Sequence, residues 1–258
     1  MERHELEVRT RDGRLLRAQL AGAEEGPLVV YHPGTPGTRN CFESYLAAAA
    51  GLGLRHVCYS RPGYEGSDRN PGRSYADCAL DTAEVADALG ADKFYVTGCS
   101  GGGGPALACA ALLGERVIAA AAIATPAPRG AEGLDWEAGL TAVNGPEMAA
   151  VAAGDVALER CLDCLAAEFR KITTPADLLA DDKGLCAADK ASLRDDSFMR
   201  YQLDCYRRVG NDGRWGWFDD DLVSFGNWGF DPARIAIPVS VWQGGEDRVI
   251  PPAHGRWL

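Results

Sequence analysis

The sequence predicts an α/β protein built on a mostly parallel sheet with helices on both faces. Three observations carry that prediction. Short apolar runs alternate with stretches of helical spacing along most of the chain. The run Pro27-Leu28-Val29-Val30-Tyr31 is almost continuously apolar, as is Val117 to Ile123, the mark of strands covered on both sides. A glycine cluster, Gly98 to Gly104, joins one such run directly to an alanine-rich helical stretch, as in a tight strand-to-helix turn.

Taken in order, residues 5–21 read as a hairpin. Leu6 and Val8 alternate with charges, Asp12-Gly13 makes the turn, and Leu15 to Leu20 returns. The strand at 27–31 runs into His32-Pro33-Gly34-Thr35-Pro36-Gly37. A helix from about Phe42 to Ala50 follows, closed by Gly51 and Gly53. Arg55 to Tyr59 is the next strand and opens into Arg61-Pro62-Gly63-Tyr64-Glu65-Gly66-Ser67. Ser74 with Asp77 has the form of a capping box, and the helix behind it carries Ala79, Ala83, Ala86 and Leu89 before Gly90 stops it. The strand Phe94 to Thr97, the glycine cluster, a helix through Leu113 and the strand at 117–123 complete the first part.

From about Ala127 to Phe225 the alternation ceases. The stretch is rich in Ala, Leu and charge and reads as several helices without a clear strand. Residues 127–225 are therefore expected to be a helical insertion lying over the strand ends, with the core formed by 1–126 and 226–258. Its aromatic residues, Trp136, Phe169, Phe198, Trp215, Trp217 and Phe218, either pack the insertion together or line a substrate pocket. Asp219-Asp220-Asp221 reads as a solvated helix start. The strand pattern resumes at Ile237 to Trp242, followed by Gly244-Gly245-Glu246-Asp247.

Composition narrows the function classes. Hydrophobic residues make up 47% of the chain, enough for a full core. A net charge of −11 disfavours nucleic acid and anionic membrane surfaces as partners, leaving a small molecule. No apolar run reaches the length of a membrane span, and the start Met1-Glu2-Arg3-His4-Glu5 is charged, unlike a signal peptide. A cytoplasmic protein is expected. The 9 cysteines are an odd number and are expected to be buried free thiols. Cys161 and Cys164 form a C-x-x-C within a helical pattern, but no second pair completes a metal site. Neither a metal nor a cofactor is expected.

Gly98-Cys99-Ser100-Gly101-Gly102 fits the G-x-S-x-G nucleophile elbow. The nucleophile must sit on a strained turn with its Oγ clear of the backbone. The residues two before and two after it then approach so closely that only very small side chains fit. The helix that follows offers free N–H groups to a developing oxyanion. The same stretch is not a Walker loop, which ends Gly-Lys-Ser/Thr. Nor is it a dinucleotide fingerprint, since Ser100 stands where the second Gly belongs.

With four segments in order, 32–37, 61–67, the Ser100 elbow and 244–251, the chain resembles the α/β-hydrolase fold family in its capped, serine-hydrolase form. The resemblance spans residues 27 to 252 and implies Ser100 as nucleophile. It places the oxyanion hole at the backbone N–H groups of Gly101 and Thr35, with Gly34, Gly98 and Gly102 supporting loop and elbow. It implies Asp247 as the acid that orients a catalytic His, with Glu246 the weaker candidate; a strand-end Asp can also be a plain helix cap.

The family's His follows one more strand beyond the acid, whereas this sequence ends at Leu258. The expectation is a chain truncated relative to an active form, lacking the last strand and the C-terminal helix. That would leave sheet surface near Val239 and Val241 uncovered. Of the four histidines, His4 and His56 read as structural, while His32 beside the oxyanion loop and His254 after Asp247 are the remaining candidates for the base. Two functions compete. One is a serine hydrolase acting on a small ester, amide or similar acyl substrate. The other is a non-catalytic ligand-binding protein of the same fold. Within the enzymes, Pro33-Gly34-Thr35-Pro36-Gly37 is similar to the loop of proline iminopeptidases, which would need acids such as Glu132, Asp135 or Glu137 to hold a substrate amine.

Overall fold

The computed structural model describes residues 2–141, 143–180 and 184–258. A 7-stranded sheet in the order β1-β2-β4-β3-β5-β6-β7 forms its centre. The hairpin is β1 (His4–Arg9) with β2 (Leu15–Gly22), paired antiparallel, and β2 pairs antiparallel with β4 (Arg55–Tyr59). The remaining pairs are parallel and join β4 to β3 (Leu28–His32), β3 to β5 (Phe94–Cys99), β5 to β6 (Val117–Ile123) and β6 to β7 (Val239–Trp242).

The run at 27–31 is apolar throughout because β3 is buried on both faces. Successive side chains point to opposite sides. Leu28 and Val30 join the large core with Val57, Val96 and the helices α2 (Tyr75–Ala88) and α3 (Gly103–Leu112). Tyr31 and Cys58 face the other way, onto Leu46 of α1 (Glu43–Gly51). The capping box of α2 forms: the Ser74 hydroxyl accepts from Asp77 N, and the Asp77 carboxylate accepts from Ser74 N at 2.7 Å.

Among the described residues, the segment between β6 and β7 contains helices and no strand. These are α4 (Gly145–Ala153), α5 (Asp155–Phe169), α6 (Pro175–Ala180), α7 (Ala187–Ser192), α8 (Asp196–Asp212) and α9 (Trp215–Ser224). They carry their own apolar clusters, one around Leu158, Leu162, Val209, Trp217 and Phe218. Cys161 and Cys164 both lie on α5, Cys161 against that cluster and Cys164 exposed. All 9 cysteines are free thiols.

The aspartate run of α9 corrects the sequence reading. Asp219, Asp220 and Asp221 are 2%, 1% and 2% exposed and sit within the helix, not at a solvated start. The reason lies far away in the chain. Arg69 and Arg73 pair with Asp219, while Arg61 and Arg73 pair with Asp220, so these two charges are neutralised by residues of the loop after β4, and burial raises the pKa of the Asp221 carboxyl.

At the other end of the sheet, β7 is an edge strand with Val241 and Trp242 exposed, Trp242 to 65%. The chain then passes through Asp247 to α10 (Pro252–Trp257).

Candidate active site

The parallel register places His32 beside Gly98, so the loops leaving β3 and β5 emerge side by side. The strand order reverses here, since β3 leads to β4 on one side while β5 lies on the other. Such crevices at strand C-termini are where open α/β sheets take their ligands.

Ser100 follows β5 at φ +52°, a left-handed conformation unusual for a residue with a side chain. One 3₁₀ turn, Ser100–Gly102, leads into α3. The glycines around it are required by contact. A Cβ on Gly98 would lie 2.1 Å from the Gly102 carbonyl oxygen, and one on Gly102 would lie 2.1 Å from the His32 carbonyl oxygen. The elbow is thus packed onto the end of β3. A Cβ on Gly34 would sit 3.3 Å from Ser100 Cβ, and one on Gly101 would sit 3.3 Å from Thr35 N. Gly34, Thr35, Ser100 and Gly101 therefore form one constellation. The Thr35 N–H donates to no backbone or side-chain group among the described residues.

Asp247 lies in the loop after β7. Its Oδ1 accepts from Val249 N and Ile250 N, each at 2.9 Å, and its Oδ2 accepts from Gln243 Nε2 at 3.0 Å. These bonds fix the carboxylate and leave Oδ2 with further accepting capacity. Burial, with the Asp247 charge second, pushes the Cys99 thiol up to about 11.

The two candidate histidines are held elsewhere. His32 is fully buried at the end of β3, with Nε2 3.4 Å from Thr82 Oγ1, and burial followed by the Arg61 charge lowers it to about 3. His254 accepts from Ala127 N at Nδ1 (3.1 Å) and donates from Nε2 to the Trp136 carbonyl oxygen (3.0 Å), with Trp136 packed edge-on against its ring. Both nitrogens are used. His4 lies on β1, and His56 is a buried residue of β4 beside Tyr45.

A cavity of about 350 Å³ opens above Ser100 and Thr35. Its far walls are apolar and include Leu165, Phe169, Leu178, Val209 and Trp217 from the helical segment. Of the aromatic residues singled out in the sequence, Phe169 and Trp217 line it, stacked at 5.3 Å. Glu147 is the one formally charged side chain on the wall among the described residues. The acids that the sequence nominated for an amine, Glu132, Asp135 and Glu137, are all exposed; Glu137 pairs with Arg129. No local motif marks Glu147 in the sequence; it reaches the cavity through the packing of α4 on α9. Among the described residues no group of three or more His, Cys, Asp or Glu side chains is gathered to hold a metal, and no helix is long and apolar enough to cross a membrane.

The alpha/beta hydrolase fold family matches residues 27–258, and the chain belongs to it. A hydrolase from Pseudomonas aeruginosa superposes with a TM-score of 0.66 at 21% identity, covering 98% of this chain and 85% of its own. A bromoperoxidase from Bacillus anthracis gives 0.68 at 19% identity, covering 98% and 86%. A thermophilic esterase from Thermogutta terrifontis gives 0.64 at 17% identity, covering 98% and 84%. At these identities the likeness is one of fold. A search of curated protein sequences returned no match.

Proposed function

We propose that this protein is a serine hydrolase acting on a small ester, amide or related acyl compound. The observation that carries the reading is Ser100 itself, held at φ +52° between a strand and a helix, with Gly34 and Thr35 packed on it beneath an apolar cavity. Ser100 Oγ attacks the acyl carbon as its proton passes to the base, and the N–H groups of Gly101 and Thr35 receive the developing oxyanion. The adduct collapses, the ester or amide bond breaks and the alcohol or amine leaves with that proton; water then attacks the acyl-serine and the carboxylic acid departs, restoring the Ser100 hydroxyl. A Ser hydroxyl needs a base, and Asp247 is the residue that would orient an imidazole. The ring of His32 meets Thr82 and that of His254 is bonded to Ala127 and Trp136, so the reading leaves the base to an imidazole other than these two.

That same observation favours a second reading, a ligand-binding protein that keeps the cavity without turnover. In a third, narrower reading, an aminopeptidase, Glu147 takes the place of the three exposed acids as the group that holds a substrate amine. Reaction with a fluorophosphonate, followed by intact mass with and without added imidazole, separates the first two. An adduct lost in Ser100→Ala supports the hydrolase, and one that appears only with imidazole identifies the base as the missing part. No adduct under either condition leaves the binding protein.

A further inference from the structure

We propose that Arg61 and Asp220 are positioning residues that aim the Thr35 N–H into the oxyanion site; this rests on the serine-hydrolase reading above. Arg61 Nη1 donates to the Pro33 carbonyl at 2.6 Å, and Nη2 donates to the Gly34 carbonyl at 2.8 Å. The Gly34 carbonyl belongs to the same peptide plane as the Thr35 N–H. In a trans peptide the two point in opposite directions. A guanidinium that grips the carbonyl therefore turns the N–H away from itself, and a Cβ on Gly101 would lie 3.3 Å from that nitrogen. A cation on the oxygen also polarises the peptide, which strengthens the N–H as a donor.

The guanidinium is itself fixed. Its Nε lies 3.1 Å from both oxygens of Asp220, and its Nη2 lies 2.5 Å from Oδ2. Asp220 Oδ2 also accepts from Thr35 Oγ1 at 2.9 Å and from Tyr64 OH at 3.0 Å, while Oδ1 accepts from Arg73 Nη2 at 2.5 Å. Arg61 and Asp220 are each almost wholly buried. Buried ion pairs contribute little net stability, because desolvation offsets their attraction. A network that converges on one loop has a better explanation in the geometry of that loop. Asp220 stands on α9, so the helical segment over the cavity and the oxyanion loop share one anchor, and a shift of α9 would be felt at Thr35.

The test measures the phosphonylation of Ser100 by a fluorophosphonate, as a rate constant per reactive site, with site stoichiometry and thermal midpoint determined alongside. Wild type is compared with Arg61→Lys, which keeps the charge but not the fork, and with Asp220→Asn. Hydrolysis of p-nitrophenyl butyrate supplies the split between kcat and KM. The expected result is a rate constant lower by about 10- to 100-fold in both variants, somewhat less than the loss of a whole oxyanion donor. Stoichiometry should be kept, and the loss should fall on kcat with KM nearly unchanged. A merely structural role would lower the midpoint or the number of reactive sites and leave the rate constant per site at the wild-type value, which would overturn the proposal. Should Asp220→Asn fail to fold, Arg61→Lys decides alone. Wild type that fails to react, with or without imidazole, overturns the hydrolase reading and this inference together, an outcome distinct from equal rates in wild type and variants.

Discussion

The indole N–H of Trp217 donates to Glu147 Oε1 at 2.9 Å, tying α9 to α4 and holding a carboxylate in the wall of the cavity above Ser100. Trp217 is buried and stacks on Phe169, so the indole is not free to turn away. The carboxylate is thereby given a fixed place in a chamber whose other walls are largely apolar.

A fixed negative charge in such a chamber selects against substrates that carry another. Three p-nitrophenyl esters of equal chain length, ending in a methyl, an ammonium or a carboxylate group, should rank with the carboxylate poorest in kcat/KM. A tenfold difference corresponds to about 1.4 kcal/mol, well within what one unit charge delivers at an effective dielectric near 20. Glu147→Gln should narrow the gap between the ammonium and carboxylate esters while leaving the neutral ester within about twofold. Equal rates for all three esters with wild type would show that Glu147 does not face the bound substrate.

Alanine substitutions at glycines should divide by location. Gly98→Ala and Gly102→Ala each place a methyl group about 2 Å from a backbone carbonyl oxygen, which no side-chain rotation relieves. Either is expected to lower the thermal midpoint by about 5 °C or more, at roughly 2–4 °C per kcal/mol for a domain somewhat smaller than this one, and to abolish reaction at Ser100. Gly51→Ala, at the end of α1 with nothing within 4 Å, should be neutral or slightly stabilising. Differential scanning calorimetry of the three variants reads the contrast directly.

The parts of the site that could be read from the sequence are those encoded within a few residues. The elbow glycines, the capping box at Ser74 and the loop after β3 are local, and each lies in the stretch the sequence marked. What could not be read is what the fold brings together over distance. Arg61 and Asp220 are 159 positions apart, and the run Asp219 to Asp221 reads as a polar helix start because the arginine partners of Asp219 and Asp220 belong to another segment. Glu147 reaches the cavity wall in the same way, through packing that no local motif encodes, whereas Glu132, Asp135 and Glu137 are exposed. The histidines illustrate the converse. Their proximity in sequence to Thr35 and Asp247 suggested a role, and packing turned both rings to other partners.

His32 is expected to contribute to the loss of stability in acid. Burial, with the Arg61 charge second, lowers its folded pKa to about 3 from an ordinary 6.5. The folded state therefore binds fewer protons than the unfolded chain between those values. Stability attributable to this residue is full above about pH 6.5 and falls as pH drops toward 3. A neutral replacement, His32→Gln, should flatten the dependence of the urea midpoint on pH between about 6.5 and 4, whatever its effect on the midpoint at pH 8. An unchanged slope would mean that other groups dominate the acid limb.

Asp221 works in the opposite direction. It is buried on α9, with Oδ2 lacking a hydrogen-bond partner among the described residues. Burial, then the charges of Glu147 and Asp220, raises its pKa well above the carboxylate range. A raised carboxyl pKa means that the folded state holds a proton which the unfolded chain has released, so stability declines as pH rises from about 4 through the folded pKa. Asp221→Asn, neutral at every pH and nearly the same shape, removes that decline. The variant should match wild type near pH 4 and exceed it increasingly toward pH 8, with a gain of about 2–4 °C in thermal midpoint for each kcal/mol recovered. Asp220→Asn should do the reverse. Burial alone would raise the Asp220 carboxyl, but the charges of Arg61 and Arg73 and the hydrogen bonds from Arg61 and Thr35 carry it below the ordinary range. Its stabilising contribution is present above about pH 4 and lost only in strong acid, so removing the charge costs stability across the neutral range. Melting curves of the two variants from pH 4 to 8 should therefore move apart from wild type in opposite senses, although the two residues are neighbours on one helix. A parallel shift of both would show that the helix responds to net charge alone and not to the arginines that face Asp220.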